Sequence, residues 1–195
     1  AYGTPYALTP HMDRIAAHGT TYLNSYCNSP VCGPSRASMM TGRLPSNVGV
    51  YDNAGEFLSS EPTYAHYLRT LGYQTSLVGK MHFVGPDQLH GFERRLTTDI
   101  YPSDFSWTAD WSQYEEEYAP SRMSLLSVVE AGTCERSLQV DYDDHVFNMA
   151  KQELFDIARS DDERPFFVHA SFTHPHNPFV TTQDFWDLYD HEAIA

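Results

Sequence analysis

Apolar residues recur at helical spacing over residues 142–160, and this stripe predicts the longest helix of the chain. The stripe consists of Val146, Met149, Ala150, Leu154, Ile157 and Ala158. A polar turn over residues 161–164 ends the pattern, and residues 165–172 then form a nearly all-apolar run. Such a run is typical of a strand that is buried on both faces of a parallel sheet.

Shorter segments carry helix and strand signals of their own. Residues 9–19 combine an N-cap, a first-turn proline, apolar positions and a final glycine, and predict a short helix. Residues 20–26 are rich in β-forming side chains and indicate a strand that leads into a loop. Residues 62–72 predict a second helix, and residues 73–78 a strand after it. This alternation indicates an α/β fold with a mostly parallel central sheet flanked by helices.

The alternation fails over residues 101–133, where aromatic and acidic side chains dominate. We expect this segment to be an excursion over the sheet edge that helps to form a substrate pocket. Its most distinctive members are Trp107, Trp111, Tyr114 and Glu115–Glu117.

Charge and hydropathy narrow the range of functions. The formal net charge of −14, with only 12 Lys and Arg residues, argues against a nucleic-acid partner, because binding to phosphates requires a basic face. No apolar run approaches the roughly 18 to 20 residues of a membrane span, so we expect no membrane association and a cytoplasmic location. An enzyme of this charge that acts on anions must gather its positive groups locally.

The segment from Cys32 to Gly42 predicts an anion site. Pro34 suits the first turn of a helix and Gly42 suits its end, which puts Cys32 at the helix N-terminus and Arg36 one turn later on the same side. Unpaired N–H groups, the helix dipole and the guanidinium then face whatever Cys32 binds. On these residues alone, the alternative is a half-buried cysteine beside a surface arginine. The odd number of cysteines, the other two being Cys27 and Cys134, fits neither a disulfide framework nor a zinc site.

Two further motifs follow predicted strands. Lys80 and His82 lie just beyond the strand at residues 73–78, at the sheet end where α/β folds collect ligands. Residues 173–178, Thr-His-Pro-His-Asn-Pro, follow the apolar run. On its own, a Lys-x-His pair usually lies on the protein surface and has no functional role. For His169 and His174 we expect structural roles.

Together these motifs resemble the signature of type I sulfatases. Cys32-x-Pro34-x-Arg36, continued by Ser-x-x-x-Thr-Gly over residues 38–42, is similar to the segment in which that family oxidises the cysteine to formylglycine. The resemblance implies an alkaline-phosphatase-like fold and a gem-diol nucleophile that attacks sulfur, whose second hydroxyl expels sulfate as the aldehyde reforms. It also implies a maturation enzyme as a partner.

The same resemblance implies roles for three later residues. In the family's Gly-Lys-x-His element the lysine binds sulfate and the histidine contacts formylglycine, which carries over to Lys80 and His82. In its Pro-His-x-Pro element the histidine binds sulfate and assists the departure of the alcohol, which carries over to His176.

A narrower resemblance is to the choline sulfatase subfamily. It runs through residues 51–54, 79–83, 85–93 and 96–102. It implies that Asn53 lies near the sulfate, and it continues to Trp107, which we expect to bind a quaternary ammonium group by a cation–π contact. The implied substrate is a small sulfate ester, choline-O-sulfate.

The resemblance further implies a divalent metal ion, for which calcium is expected and magnesium or manganese are alternatives. Of the family's metal ligands, only the modified Cys32 is found in this sequence. We therefore expect residues 1–195 to be an N-terminal part of a catalytic domain, without the first metal-ligand strand and the C-terminal part.

Two other interpretations stay open. The chain is also compatible with a phosphonate or phosphate monoester hydrolase of the same superfamily, some of which share the formylglycine. A non-enzymatic alternative is an inert anion-binding fragment. Whether the protein is a homo-oligomer is left open as well.

Overall fold

A computed structural model describes residues 3–101, 103 and 126–194 of the chain. In these ranges the helices are α1 (Pro10–His18), α2 (Cys32–Thr41), α3 (Pro45–Val48), α4 (Tyr64–Thr70), α5 (Leu126–Val129), α6 (Leu138–Arg159), α7 (Gln183–Trp186) and α8 (His191–Ile194). The strands are β1 (Gln74–Gly79), β2 (Arg94–Arg95), β3 (Gly132–Thr133), β4 (Phe166–Ser171) and β5 (Val180–Thr181). None of the helices described is long and apolar enough to cross a membrane.

A parallel sheet with the strand order β2–β1–β4 forms the centre of the described structure. β1 pairs with β4 over its whole length, from Gln74 opposite Phe166 to Gly79 opposite Ser171. A second small sheet pairs β3 with β5, also in parallel. The described strands therefore confirm the predicted α/β fold.

The main core lies between α2, β1 and the residues that follow β1. Every residue of β1 is buried, and its Leu77 packs in one cluster with Met40 of α2 and with Met81, Phe83 and Phe92. Burial of each large apolar side chain stabilises the fold by about 1.5 to 3 kcal/mol. The segment that carries Lys80 and His82 is therefore fixed by this core, to which Met81 and Phe83 belong.

The helix predictions hold, with one shift in the longest helix. α6 begins at Leu138, where the hydroxyl of Ser137 accepts a hydrogen bond from the Val140 N–H, and the helix ends at Arg159. Its buried face includes Val146 as predicted, but Leu154 is 45% exposed and its neighbour Glu153 is buried instead. Glu153 takes this position because it accepts a hydrogen bond from Ser76 and pairs with Arg94.

Two strand predictions are wrong. Residues 20–26 form no strand, and Tyr22, Leu23 and Tyr26 are exposed, since no described strand pairs with this segment. β4 is not buried on both faces: only Ser171 is fully buried, because β4 is the outer strand of the described sheet.

The predicted excursion at residues 101–133 lies mostly outside the described residues. Trp107, Trp111, Tyr114 and Glu115–Glu117 all belong to that part. Of the segment's remainder, Tyr101 and Ser103 follow the turn after β2, and α5 and β3 lead towards α6.

Candidate active site

The turn into α2 brings Cys32 to the helix N-terminus. Val31 has an extended backbone (φ −113°, ψ 139°), and Cys32 is the first helical residue. Gly42 ends the helix in the left-handed conformation (φ 68°), where its N–H donates to the Ser38 carbonyl. The N-terminal N–H groups of α2, which have no partner within the helix, therefore lie beside the Cys32 thiol.

Asn53 lies against this helix N-terminus. Its Oδ1 accepts a hydrogen bond from the Gly33 N–H at 2.8 Å and lies 3.4 Å from the Sγ of Cys32. A Cβ atom at Gly33 would lie only 3.0 Å from the Asp52 carbonyl oxygen and 3.2 Å from the Asn53 Oδ1. Position 33 needs glycine for this close approach.

The end of β1 brings Lys80 and His82 to the same region. The Lys80 N–H donates to the Ser171 carbonyl at 3.0 Å, which continues the pairing with β4 by one residue. His82 has a left-handed backbone (φ 57°), and its Nε2 lies 2.8 Å from the Asn53 carbonyl oxygen. The same imidazole hydrogen-bonds to Cys32.

These contacts favour a negative charge at position 32. Burial opposes ionisation, but the hydrogen bond and charge of His82, together with the charge of Lys80, lower the pKa of the Cys32 thiol to about 7. For His82, burial acts to lower the pKa, but the hydrogen bonds of the imidazole to Cys32 and to the Asn53 backbone act in the opposite direction. The net result is a raised His82 pKa. Burial lowers the pKa of Lys80, and the charge of Cys32 opposes the change. The thiolate sulfur thus stands in for an anionic oxygen at this point.

Arg36 joins the ends of β1 and β4. Its Nη1 donates to the Lys80 carbonyl at 2.8 Å and to the Ser171 Oγ at 3.0 Å. The charge of Cys32 acts on the guanidinium, although burial lowers the Arg36 pKa overall. The sequence predicted the helix position of Arg36 but not this connection to the two strands.

His176 lies in the loop after β4, on the side of the site that carries Tyr101. Its ring centroid is 6.0 Å from that of Tyr101, whose ring in turn lies 5.3 Å from the Nζ of Lys80. Gln139 of α6 holds this arrangement, since its amide donates to the Tyr101 hydroxyl and, at 3.3 Å, to the Asn177 carbonyl oxygen. Tyr101 is therefore a common neighbour of Lys80 and His176.

The two histidines for which we expected structural roles have structural partners. The Nδ1 of His169 lies 2.7 Å from the Tyr64 hydroxyl. The Nδ1 of His174 lies 2.7 Å from the Asp143 Oδ2, and its Nε2 lies 3.2 Å from the Val180 carbonyl oxygen. Burial lowers the pKa of His169.

The groups that lower the pKa of Cys32 are cationic or neutral side chains, those of His82, Lys80 and Asn53. Within the described ranges, no group of three or more His, Cys, Asp or Glu side chains could hold a metal ion. The carboxylate of Asp99 accepts the N–H groups of Met81 and His82 and pairs with Arg95.

The profile of the family described as Sulfatase matches residues 1–192. This chain belongs to the sulfatase family. The choline-sulfatase of Rhizobium meliloti (strain 1021) is 52% identical over 184 residues, which cover 93% of this chain and 36% of that protein. An arylsulfatase of Hemicentrotus pulcherrimus is 27% identical in an alignment that covers 95% of this chain and 36% of that protein. The chain spans about a third of the length of the curated relatives it matches.

A solved structure shows the shared fold. The phosphonate monoester hydrolase of Agrobacterium radiobacter superposes with a TM-score of 0.64 at 21% identity, over 96% of this chain and 40% of that chain. With the parallel sheet and its flanking helices, this confirms the predicted alkaline-phosphatase-like sulfatase fold for this segment.

The described part of this sulfatase brings most of the predicted site residues together. Cys32, Asn53 and His82 form one contact group, Lys80 and Arg36 act on it through their charges, and His176 is linked to Lys80 through Tyr101. Trp107 lies outside the described residues. Sequence reasoning missed the supporting residues, which are Asp99, Tyr101, Gln139, Asp143 and Ser171. The first two lie in the subfamily-like run at residues 96–102, but no spacing rule connects any of the five to the site.

Proposed function

We propose that the complete protein is a sulfuric ester hydrolase that cleaves choline-O-sulfate to choline and sulfate, with a formylglycine made from Cys32 as the nucleophile. The observation that carries this proposal is the environment of Cys32, where a helix N-terminus, His82 and Lys80 all favour negative charge. Membership of the sulfatase family and 52% identity to a choline-sulfatase support the substrate assignment.

Formylglycine at position 32 would supply the nucleophile in its hydrated gem-diol form. The second hydroxyl of the gem-diol would expel sulfate as the aldehyde reforms. The groups of this chain then have to bind sulfate and stabilise its developing charge. Lys80 is only 3% exposed, and its ammonium interacts more strongly with an anion than it would in water. The raised pKa of His82 favours a protonated imidazole, which can donate to an anionic oxygen on residue 32.

We propose that His176 acts as the general acid that donates a proton to the departing alcohol. Its ring shares the neighbour Tyr101 with Lys80, which supports a position on the leaving-group side of the sulfate. The described residues do not fit a metal ion by themselves, so we expect a divalent cation, calcium in our proposal, to take residue 32 and ligands from other parts of the protein. Conversion of Cys32 requires a maturation enzyme.

Choline carries no ordinary N–H donor, so recognition has to come from aromatic faces and negative potential, with about 0.5 to 2 kcal/mol for each cation–π contact. Trp107 is our choice for such a contact because the subfamily-like run continues to it. We expect Trp107→Ala to raise KM for choline-O-sulfate and to spare an aryl sulfate, with Trp111→Ala as the matched control. Equal losses on both substrates in Trp107→Ala would make Trp107 structural.

The test of the reaction is steady-state kinetics of the complete protein on choline-O-sulfate, an aryl sulfate and the matching aryl phosphonate. We expect the highest kcat/KM on choline-O-sulfate. A preference for the phosphonate would support the alternative hydrolase, and a preference for aryl or sugar sulfates would remove only the choline assignment.

The test of the nucleophile uses the three cysteines, all of which carry free thiols in the described ranges. Cys32→Ala should abolish turnover, whereas the matched variants Cys27→Ala and Cys134→Ala should keep most of it. Peptide mass spectrometry should find residue 32 lighter than cysteine by about 18 Da, as expected for conversion of a CH2SH group to an aldehyde. An unmodified Cys32 in a fully active enzyme would contradict the formylglycine proposal.

A further inference from the structure

The two strands that carry the site end side by side, with Gly79 of β1 opposite Ser171 of β4. Each strand leads into a turn with predicted site residues, Lys80 and His82 in one case and His176 in the other. The two turns are equivalent in position, because they leave neighbouring parallel strands at the same level of the sheet.

In both turns, the second and third residues after the strand donate their N–H groups to a single carboxylate. Asp99 accepts from Met81 at Oδ1 (3.1 Å) and from His82 at Oδ2 (2.9 Å). Asp143 of α6 accepts from Thr173 at Oδ1 (2.6 Å) and from His174 at Oδ2 (3.0 Å). Two carboxylates from different parts of the chain thus make the same pair of contacts.

Each carboxylate also has a cationic or titratable partner and is largely buried. Asp99 is 11% exposed, and its Oδ2 lies 2.8 Å from the Nη2 of Arg95. Asp143 is 15% exposed, and its Oδ2 lies 2.7 Å from the Nδ1 of His174. With every oxygen bound, the two charges are directed at backbone N–H groups and not at an incoming anion.

The turn after β1 needs such support because its backbone conformation is unfavourable. His82 has φ 57°, a value that non-glycine residues rarely adopt unless the surrounding structure holds them there. This conformation is the one in which the imidazole reaches both Cys32 and the Asn53 carbonyl. Two hydrogen bonds to Asp99, one of them from His82 itself, fix it.

We infer that Asp99 and Asp143 are a matched pair of positioning residues, which orient Lys80 and His82 on one strand end and His176 on the other. The inference deepens the proposed function and rests on it. Neither carboxylate acts on the reacting atoms. Each sets the path of the backbone from which the acting side chains project.

The decisive substitution is aspartate to asparagine, because it keeps the size and shape of the side chain. The asparagine amide offers one oxygen and one NH2, so it can accept only one of the two N–H groups and turns a donor towards the other. We expect Asp99→Asn and Asp143→Asn each to lower kcat/KM on choline-O-sulfate by about 10- to 100-fold, mainly through kcat, since small misplacements of acting groups have effects of this size.

The matched control is Glu153→Gln, which removes the charge from a buried carboxylate of α6 that packs against the same sheet. Glu153 contacts Ser76 in the middle of β1 and Arg94 of β2, away from the end of β1 that carries the site. All variants are assayed per molecule with formylglycine at residue 32, well below their unfolding midpoints. Glu153→Gln should lose stability but keep its kcat/KM. The inference is overturned if the aspartate variants stay within twofold of the unmutated enzyme, or if Glu153→Gln loses as much activity as they do.

Calorimetric binding of inorganic sulfate separates this inference from the proposed function. We expect both aspartate variants to bind sulfate several-fold more weakly than the unmutated protein does. If the unmutated protein binds sulfate but hydrolyses no sulfate ester, the proposed function fails, and weaker binding by the variants still supports the positioning role. If the unmutated protein neither binds sulfate nor hydrolyses its esters, both proposals fail.

Discussion

Replacement of Gly79 by alanine should be one of the most damaging single changes in the described structure. Gly79 has φ 103°, outside the conformations that other residues adopt readily. An added Cβ would overlap the carbonyl oxygen of Ser171 and would lie 2.8 Å from its carbonyl carbon and 3.0 Å from its nitrogen. The obstacle is the backbone of β4, so no rotation of a side chain can relieve it.

The expected cost has two parts. The backbone strain at this φ is of order 1 to 3 kcal/mol. The ends of β1 and β4 must also separate, which weakens the hydrogen bonds from Lys80 N–H to Ser171 and from Gly79 N–H to the Thr97 hydroxyl, at about 1 kcal/mol each. We therefore expect Gly79→Ala to lower the free energy of unfolding by about 3 to 5 kcal/mol.

The matched control is Gly72→Ala. Gly72 also has a positive φ, 84°, but a Cβ there would meet no atom within 4 Å. Its cost should be limited to the left-handed conformation, about 1 to 2 kcal/mol. Urea unfolding, followed by circular dichroism, measures both. If the two variants differ by less than about 1 kcal/mol, the close contact between the strand ends does not have the effect that we assign to it.

Three further predictions follow from the described contacts. Burial lowers the pKa of His90 to about 4, so on acidification the unfolded chain binds a proton at this residue before the folded protein does. The free energy of unfolding should therefore fall by up to about 3 kcal/mol as the pH is lowered from 6.5 to 4. Replacement by phenylalanine should remove most of this slope in unfolding experiments at several pH values, and an unchanged slope would contradict it. In protein that is made without the maturation enzyme and keeps an unmodified Cys32, alkylation of Cys32 by iodoacetamide should reach half its maximal rate near pH 7. In the His82→Ala variant the half-maximal rate should be reached at a higher pH, because the hydrogen bond and charge of His82 lower the Cys32 pKa. Peptide mass spectrometry measures the rate in both proteins, and identical pH profiles would contradict the role of His82. Arg36→Ala should cost about 2 to 4 kcal/mol in kcat/KM, and Arg36→Lys should recover little because it lacks the guanidinium fork; a fully active Arg36→Lys enzyme would refute this.

Local signals explain why much of the fold was predictable. The bounds of α1, α2 and α4 follow from a proline near the start and a glycine at the end, which act on their own segments. β4 was found from a short apolar run, and β1 was found as the strand predicted directly after the second helix. The segment at residues 20–26 failed because β-forming residues make a strand only when another strand pairs with them.

In the candidate site, too, the residues marked by local sequence signals were predictable and those that depend on distant contacts were not. Sequence patterns found Cys32, Lys80 and His82 because each stands in a short motif beside a helix start or a strand end. The same patterns could not find Ser171 as a partner of Arg36 or Glu153 as a buried residue of α6, because those roles depend on contacts between distant segments.

The sequence by itself determined that Cys32 stands at a helix start, and it determined the two strands and the motifs that follow them, since capping, periodicity and strand ends are properties of neighbouring residues. Only the tertiary structure decided that β1 and β4 are adjacent, and with this came the strand-end contact at Gly79, the connection through Arg36 and the two carboxylates behind the turns. Strand order and side-chain partners depend on how separate segments pack into one core, and no short stretch of sequence contains that information.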